Sequence, residues 1–505
     1  MEIIANLSMG LDIALSQSTL IACAIGVTLG TFIGVLPGIG PIAGIALLLP
    51  ITFHQPPTDA LVMLAGLYYG AMYGGSTSSI LLNLPGDSSA AVTCLDGHPM
   101  ARQGRGGIAL FMTTFASFVG ACFSIVLMAA FAPVLAEVAL SFGPSEYFSM
   151  MVLGLIAASA LAGETPLKGI AMVVLGLLLG LVGTDVQTGF QRFTLGQLEL
   201  TDGISIVVVA MGLFGVSEVL VNFSSSARRP FLTSKDITWR SLFPSRKDFR
   251  DSAFPIARGS LIGAALGALP GAGATMSAFM SYALEKRIAK QPERFGNGAI
   301  EGIAAPEAAN NAAAQAAFIP TMTLGIPGNS VMALMLGALI MHGISPGPMV
   351  IVENPELFWG LIMSFWIGNF LLIILNIPMI GVWVRILTVP YQILFPAILF
   401  FICIGVYSVN NDYFDIFLVY LFGMAGYAMK VLDFPIAPLL LGFILGPLME
   451  ENLRRAMLLS RGDMSVLVTH PISLGFLSVS FSFLAYATWA SYRRQKSASS
   501  ITTVK

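Results

Sequence analysis

The first lysine or arginine in this 505-residue chain is Arg102. A stretch that long without a basic residue cannot cover a water-exposed surface, so the chain is read from the start as one that folds in a bilayer. The rest of the sequence agrees. Charged residues are 10% of the total, against roughly 25% in soluble domains, while hydrophobic residues are 56%. The mean hydropathy is +0.83. A net charge of −2 excludes a basic nucleic-acid binder. The expected class is all-α, a polytopic integral membrane protein.

Apolar stretches lie near 18–53, 60–84, 108–135, 145–162, 167–183 and 204–223, then near 256–284, 305–342, 357–384, 389–408, 413–428, 433–449 and 470–491. At about 20 residues per crossing they predict about 10–12 spans. Residues 1–223 read as a first transmembrane half and 255–491 as a second. Between them, 224–254 reads as a basic cytoplasmic linker, and 492–505 as a cytoplasmic tail. Basic residues place the loops with Arg102 and Arg105, Lys286 to Arg294, and Arg454 to Arg461 on the same inner side. The start lacks a basic n-region, so no cleaved signal peptide is expected.

The halves resemble each other. Residues 26–40, running through Gly26, Gly30, Gly34, Pro37, Gly38 and Gly40, align with 259–273, running through Gly259, Gly263, Gly267, Pro270, Gly271 and Gly273. Seven of these fifteen positions are identical. In the same order, Leu82-Asn83-Leu84-Pro85-Gly86-Asp87-Ser88 aligns with Leu324-Gly325-Ile326-Pro327-Gly328-Asn329-Ser330. Two matches in order at nearly equal offsets predict an internal repeat.

Each aligned segment carries a Pro-Gly pair inside an apolar run. Proline removes a backbone donor and breaks the i→i−4 ladder, and the freed polar groups cannot face lipid. One such pair alone reads as a kink. Four at corresponding positions, each flanked by polar residues, read as broken or re-entrant helices around a transporter's binding site. The glycine ridges read mainly as helix packing surfaces.

Helix ends created by the breaks offer free N–H groups and partial positive charge to an anion. The expected substrate-binding residues are therefore Gly38, Gly40, Asn83, Pro85, Gly86 and Ser88 in the first half. Their counterparts in the second are Gly271, Gly273, Thr275, Thr323, Pro327, Gly328, Asn329 and Ser330. Ser76, Thr77, Asp87, Asn310 and Asn311 are the candidates for cation coupling. A Na⁺ ion is a possible metal, with its ligands unassigned. Asp87 reads equally as a titrating carboxylate or as a helix cap, because its aligned partner, Asn329, can cap but cannot titrate. Glu307 is a further intramembrane carboxylate. Tyr68, Tyr69 and Tyr73 read as packing residues.

Other chemistries find little support. The four cysteines form no CxxC pair, and no HExxH or GxxxxGK[ST] sequence occurs. No histidine stands at catalytic spacing from a carboxylate, so no enzyme and no cofactor are expected.

The chain resembles the large membrane subunit of tripartite tricarboxylate transporters, the TctA family. The resemblance is carried by Gly34–Pro41, Tyr69–Ser78, Leu82–Gly86, Gly267–Gly273, Pro306–Asn311, Thr323–Gly328, His342–Pro346 and Gly446–Arg455. It implies a multi-pass protein of the bacterial inner membrane that takes up di- or tricarboxylates, driven by Na⁺ or H⁺. It also implies a small four-span membrane partner of the TctB type and a periplasmic solute-binding protein of the TctC type. The alternatives are a passive channel or a stand-alone carboxylate symporter or exchanger. The paired breaks motivate an elevator-like movement of the site.

Overall fold

The computed structural model describes residues 2–36, 39–139, 141–161, 166–185, 187–222, 242–269, 273–386 and 391–485. Pro37, Gly38, Pro270, Gly271, most of the linker and the C-terminal tail lie outside the described residues. Among the described residues the fold is helical, apart from a two-residue hairpin pairing Gly183–Thr184 with Gln191–Arg192.

The first half contains α1 (Glu2–Ala14), α2 (Gln17–Val35), α3 (Gly40–Phe53), α4 (Pro57–Leu82), α5 (Ala91–Met100), α6 (Gly106–Ala139), α7 (Pro144–Leu161), α8 (Pro166–Gly180) and α9 (Ile206–Val221). The second contains α10 (Arg246–Gly267), α11 (Gly273–Ile288), α12 (Glu301–Ala316), α13 (Phe318–Leu324), α14 (Ser330–Met341), α15 (Pro355–Asn376), α16 (Tyr391–Asn410), α17 (Tyr413–Val431), α18 (Ile436–Leu459) and α19 (Pro471–Ala485). Among the described residues, five helical stretches are long and apolar enough to cross a membrane: Gln17–Val35, Ala91–Phe131, Pro355–Asn376, Tyr413–Val431 and Ile436–Leu459. By contrast, α3 and α14 have 14 and 12 residues. They rise roughly 20 Å, short of the ~30 Å hydrocarbon core.

The outward faces are apolar. Phe370, Phe400, Phe401 and Phe417 are exposed, as expected of side chains that meet lipid. Inside, α4 is buried on nearly every side, which explains its lack of an amphipathic pattern. Tyr68, Tyr69, Phe318 and Phe365 form an aromatic cluster across the halves, with Phe318 and Phe365 ring centres 4.8 Å apart.

The glycine ridges set the closest helix contacts. A Cβ added at Gly26, Gly30 or Gly34 of α2 would stand 2.2–2.3 Å from the carbonyl oxygens of Met63, Leu67 and Ala71 on α4. One added at Gly259 or Gly263 of α10 would stand 2.3 or 2.2 Å from those of Ala305 and Ala309 on α12. Only a residue without a side chain lets the backbones approach this far.

Two features differ from the sequence reading. The N-terminal helix α1 was not anticipated. Residues 246–254, read as linker, are the first turns of α10. They start at a capping box in which Ser245 Oγ accepts from Asp248 N–H and Asp248 accepts from Ser245 N–H. Arg105 pairs with Asp248 at the start of α10, and Arg454 pairs with Asp185 beyond α8. α18 runs parallel to α8, with Gly176 against Leu439 and Gly180 against Phe443.

Candidate functional site

The segments around the Pro-Gly breaks use the same backbone devices in both halves. Gly40 and Gly273 open α3 and α11 with φ of 66° and 60°, and nothing lies within 4 Å of a Cβ built on either. These left-handed conformations suit glycine and leave the helix starts uncovered. α4 ends at Asn83, φ 55°, and α13 ends at Gly325, φ 64°, both left-handed C-caps. Asp87 Oδ1 then accepts from Ala90 N–H at 3.0 Å at the start of α5. Asn329 Oδ1 accepts from Met332 N–H at 2.9 Å at the start of α14.

These helix starts meet around one cavity of about 790 Å³. From the first half it is lined by Gly40, Pro85, Gly86, Asp87 and Ser88. From the second it is lined by Gly273, Thr275, Pro327, Gly328, Asn329 and Ser330. The Ser88 and Thr275 hydroxyls lie 2.8 Å apart and join the two halves across it. Gly86 is fixed by close approach, since a Cβ there would stand 2.3 Å from the Gly34 carbonyl oxygen.

Other expected site residues lie elsewhere. Asn83 is an exposed turn residue outside the cavity lining. Thr323 is buried and donates back to the Ile319 carbonyl at 2.6 Å. Ser76, Thr77, Asn310 and Asn311 are buried on α4 and α12, also outside the lining. Gly38 and Gly271 lie outside the described residues.

The cavity also holds residues that sequence reasoning missed. Tyr68 lines it and accepts from Asn329 Nδ2 at 3.1 Å. Lys430 and Glu218 line it and form an ion pair. A signal for that pair was present, because both charges stand in or beside apolar stretches, where a charge is costly without a partner.

A second cavity, about 210 Å³, lies beyond α8, lined by Asp185, Arg192, Glu450 and Arg454 among others. Burial alone would raise the Asp185 pKa. Hydrogen bonds from Arg454 and from Gln187 and Thr188 N–H, with the charge of Arg192, outweigh that and hold it well below the usual carboxylate range.

The broken segments thus enclose a cavity within the ~300–1,000 Å³ range of small-molecule sites, in a chain whose outer face is apolar. The model of the tripartite tricarboxylate transporter TctA family matches residues 20–441. The chain belongs to this family. Its relatives include an uncharacterized 52.8 kDa protein in the TAR-I ttuC′ 3′ region of Agrobacterium vitis, 52% identical over 496 residues, 98% of each chain. An uncharacterized protein in the TAR-II ttuC′ 3′ region of the same organism is 54% identical over 234 residues, 46% of this chain and 97% of its own. No solved structure matches the chain. As a TctA-family member it is a membrane component of a tripartite tricarboxylate transporter, and the family is one of transporters rather than enzymes. Such components normally work with TctB and TctC partners.

Proposed function

We propose that this TctA-family chain is the large permease subunit for cation-coupled uptake of di- or tricarboxylates across a bacterial inner membrane. In this reading a TctC-type periplasmic protein delivers the substrate and a TctB-type four-span subunit completes the complex. The two halves are homologous repeats, and the elements flanking the breaks are re-entrant. Na⁺ or H⁺ drives the cycle. No bond is made or broken, and the work is desolvation of an anion.

The observation that carries the reading is the meeting of four interrupted segments around one cavity. The first residues of α3, α11 and α14, and the loop leading into α5, line it. Each helix start offers unpaired N–H groups and roughly half a positive charge. Carboxylates accept from such groups without a buried arginine for each charge. Ser88, Thr275 and Ser330 add hydroxyl groups, and Lys430 lines the cavity together with its ion-pair partner Glu218.

Uptake of labelled carboxylates by vesicles containing the reconstituted complex, with and without an ion gradient, tests this. Asn329→Ala removes the α14 cap and the Tyr68 hydrogen bond, and Ser330→Ala removes an adjacent donor. Each is expected to lower uptake at least tenfold while membrane insertion stays normal. Full uptake by both variants at equal expression would remove the cavity from the substrate's path.

A further inference from the structure

We propose that Glu307 is the seat of a sodium-ion site built from oxygen atoms of α4, α5, α6 and α12. This rests on the cation-coupled reading above and names where the ion binds.

Glu307 lies in the middle of α12 and is 1% exposed. Thr93 Oγ1 of α5 donates to its Oε1, and Ser117 Oγ of α6 donates to its Oε2 at 3.3 Å. Asn311, one turn along α12, donates from Nδ2 to Ser117 Oγ at 2.7 Å and to the Glu307 carbonyl at 3.2 Å. Its Oδ1 has no partner, although the residue is 1% exposed. The Ser76 hydroxyl of α4 lies beside the same carboxylate and is buried without a hydrogen-bond partner.

Among the described residues no lysine, arginine or histidine pairs with Glu307. The titratable groups that interact with it are Asp87, of like charge, and the neutral Tyr73 and Cys94. A buried carboxylate without a counter-charge is too costly to stand alone. A proton would neutralise it but leave Asn311 Oδ1 bare. A hard cation takes oxygen ligands only. Here it finds the carboxylate, three hydroxyl oxygens and an unpartnered amide oxygen in one dry cluster.

The placement also couples the ion to the cavity. Ser76 and Thr93 sit on the helices flanking the loop that carries Pro85, Gly86, Asp87 and Ser88. An ion held between them and α12 fixes that loop against the second half. By linkage, ion and anion then raise each other's affinity.

The test is binding of radioactive sodium to the purified full-length chain in detergent, without substrate or partners. The wild type is expected to bind one ion per chain saturably, and Glu307→Gln to lose it. Thr93→Val and Asn311→Ala are expected to raise the half-saturating concentration about tenfold or more. Asp12→Asn, exposed on α1, leaves it unchanged. If Glu307→Gln fails to fold, the Thr93 and Asn311 variants decide the matter. Unaltered sodium binding in the variants that fold overturns the site. So does a wild type that binds no sodium but whose uptake follows a pH gradient through Glu307. Sodium binding lost in Glu307→Gln, in a protein that moves no carboxylate, leaves the site standing and removes the transport reading instead.

Discussion

Gly263 has no room for a methyl group. A Cβ there would stand 2.2 Å from the Ala309 carbonyl oxygen, and that oxygen is fixed in a helix rather than at the end of a flexible side chain. Gly263→Ala is expected to push α10 from α12 at a cost of about 1–3 kcal/mol, the usual range for overpacking. Thermal melting of the purified protein measures it. Gly475→Ala on α19, where nothing lies within 4 Å, is the comparison and is expected to melt like wild type. Equal melting of the two variants would mean that the ridge is no contact. This ridge was legible because small residues at four-residue spacing define a helix face without any knowledge of its partner. Tyr68 was not, because its role comes from Asn329, far away in sequence. Asn83 and Thr323 lie outside the cavity lining, where their polarity serves local geometry, a left-handed turn in one and a bond to the preceding turn in the other.

At the scale of elements, the loop between α8 and α9 is tied to α18 by Asp185, Arg192, Glu450 and Arg454. Asp185 is held below the ordinary carboxylate range in the folded protein. A carboxyl lowered on folding stabilises the native state above its unfolded pKa, about 3.9. That contribution is lost as the pH falls from there towards the folded value. Asp185→Asn is therefore expected to melt below wild type at pH 7, with the gap narrowing between about pH 4 and pH 2. A gap that stays constant over that range would assign the difference to shape rather than charge. The existence of most helices was legible from apolar runs, but this tie was not. Asp185 and Arg454 stand far apart in sequence, and only the packing of α18 along α8 brings them together. The start of α10 was missed for a related reason: a charged first turn looks like linker until its capping box is seen.

Over the whole molecule, the sequence aligns the Pro-Gly segments with one another but does not say where they meet. Alignment of 26–40 with 259–273 says that the segments correspond, and nothing in it says that Ser88 reaches Thr275. Their hydroxyls, 2.8 Å apart, form a bridge between the halves across the cavity. Alternating access requires that some contact around a site of this kind opens and closes. If the first-half loop moves against the second half during transport, locking these two positions stops the cycle. The variant carrying Ser88→Cys and Thr275→Cys together, in a background without Cys23, Cys94, Cys122 and Cys403, is expected to crosslink under mild oxidation. Uptake should then fall to background and return on reduction. The single variants, oxidised in parallel, separate this from loss of either hydroxyl. Full uptake by the crosslinked protein would mean that the two loops travel together as one body, and the moving boundary would then have to be sought between the cavity and the helices around it.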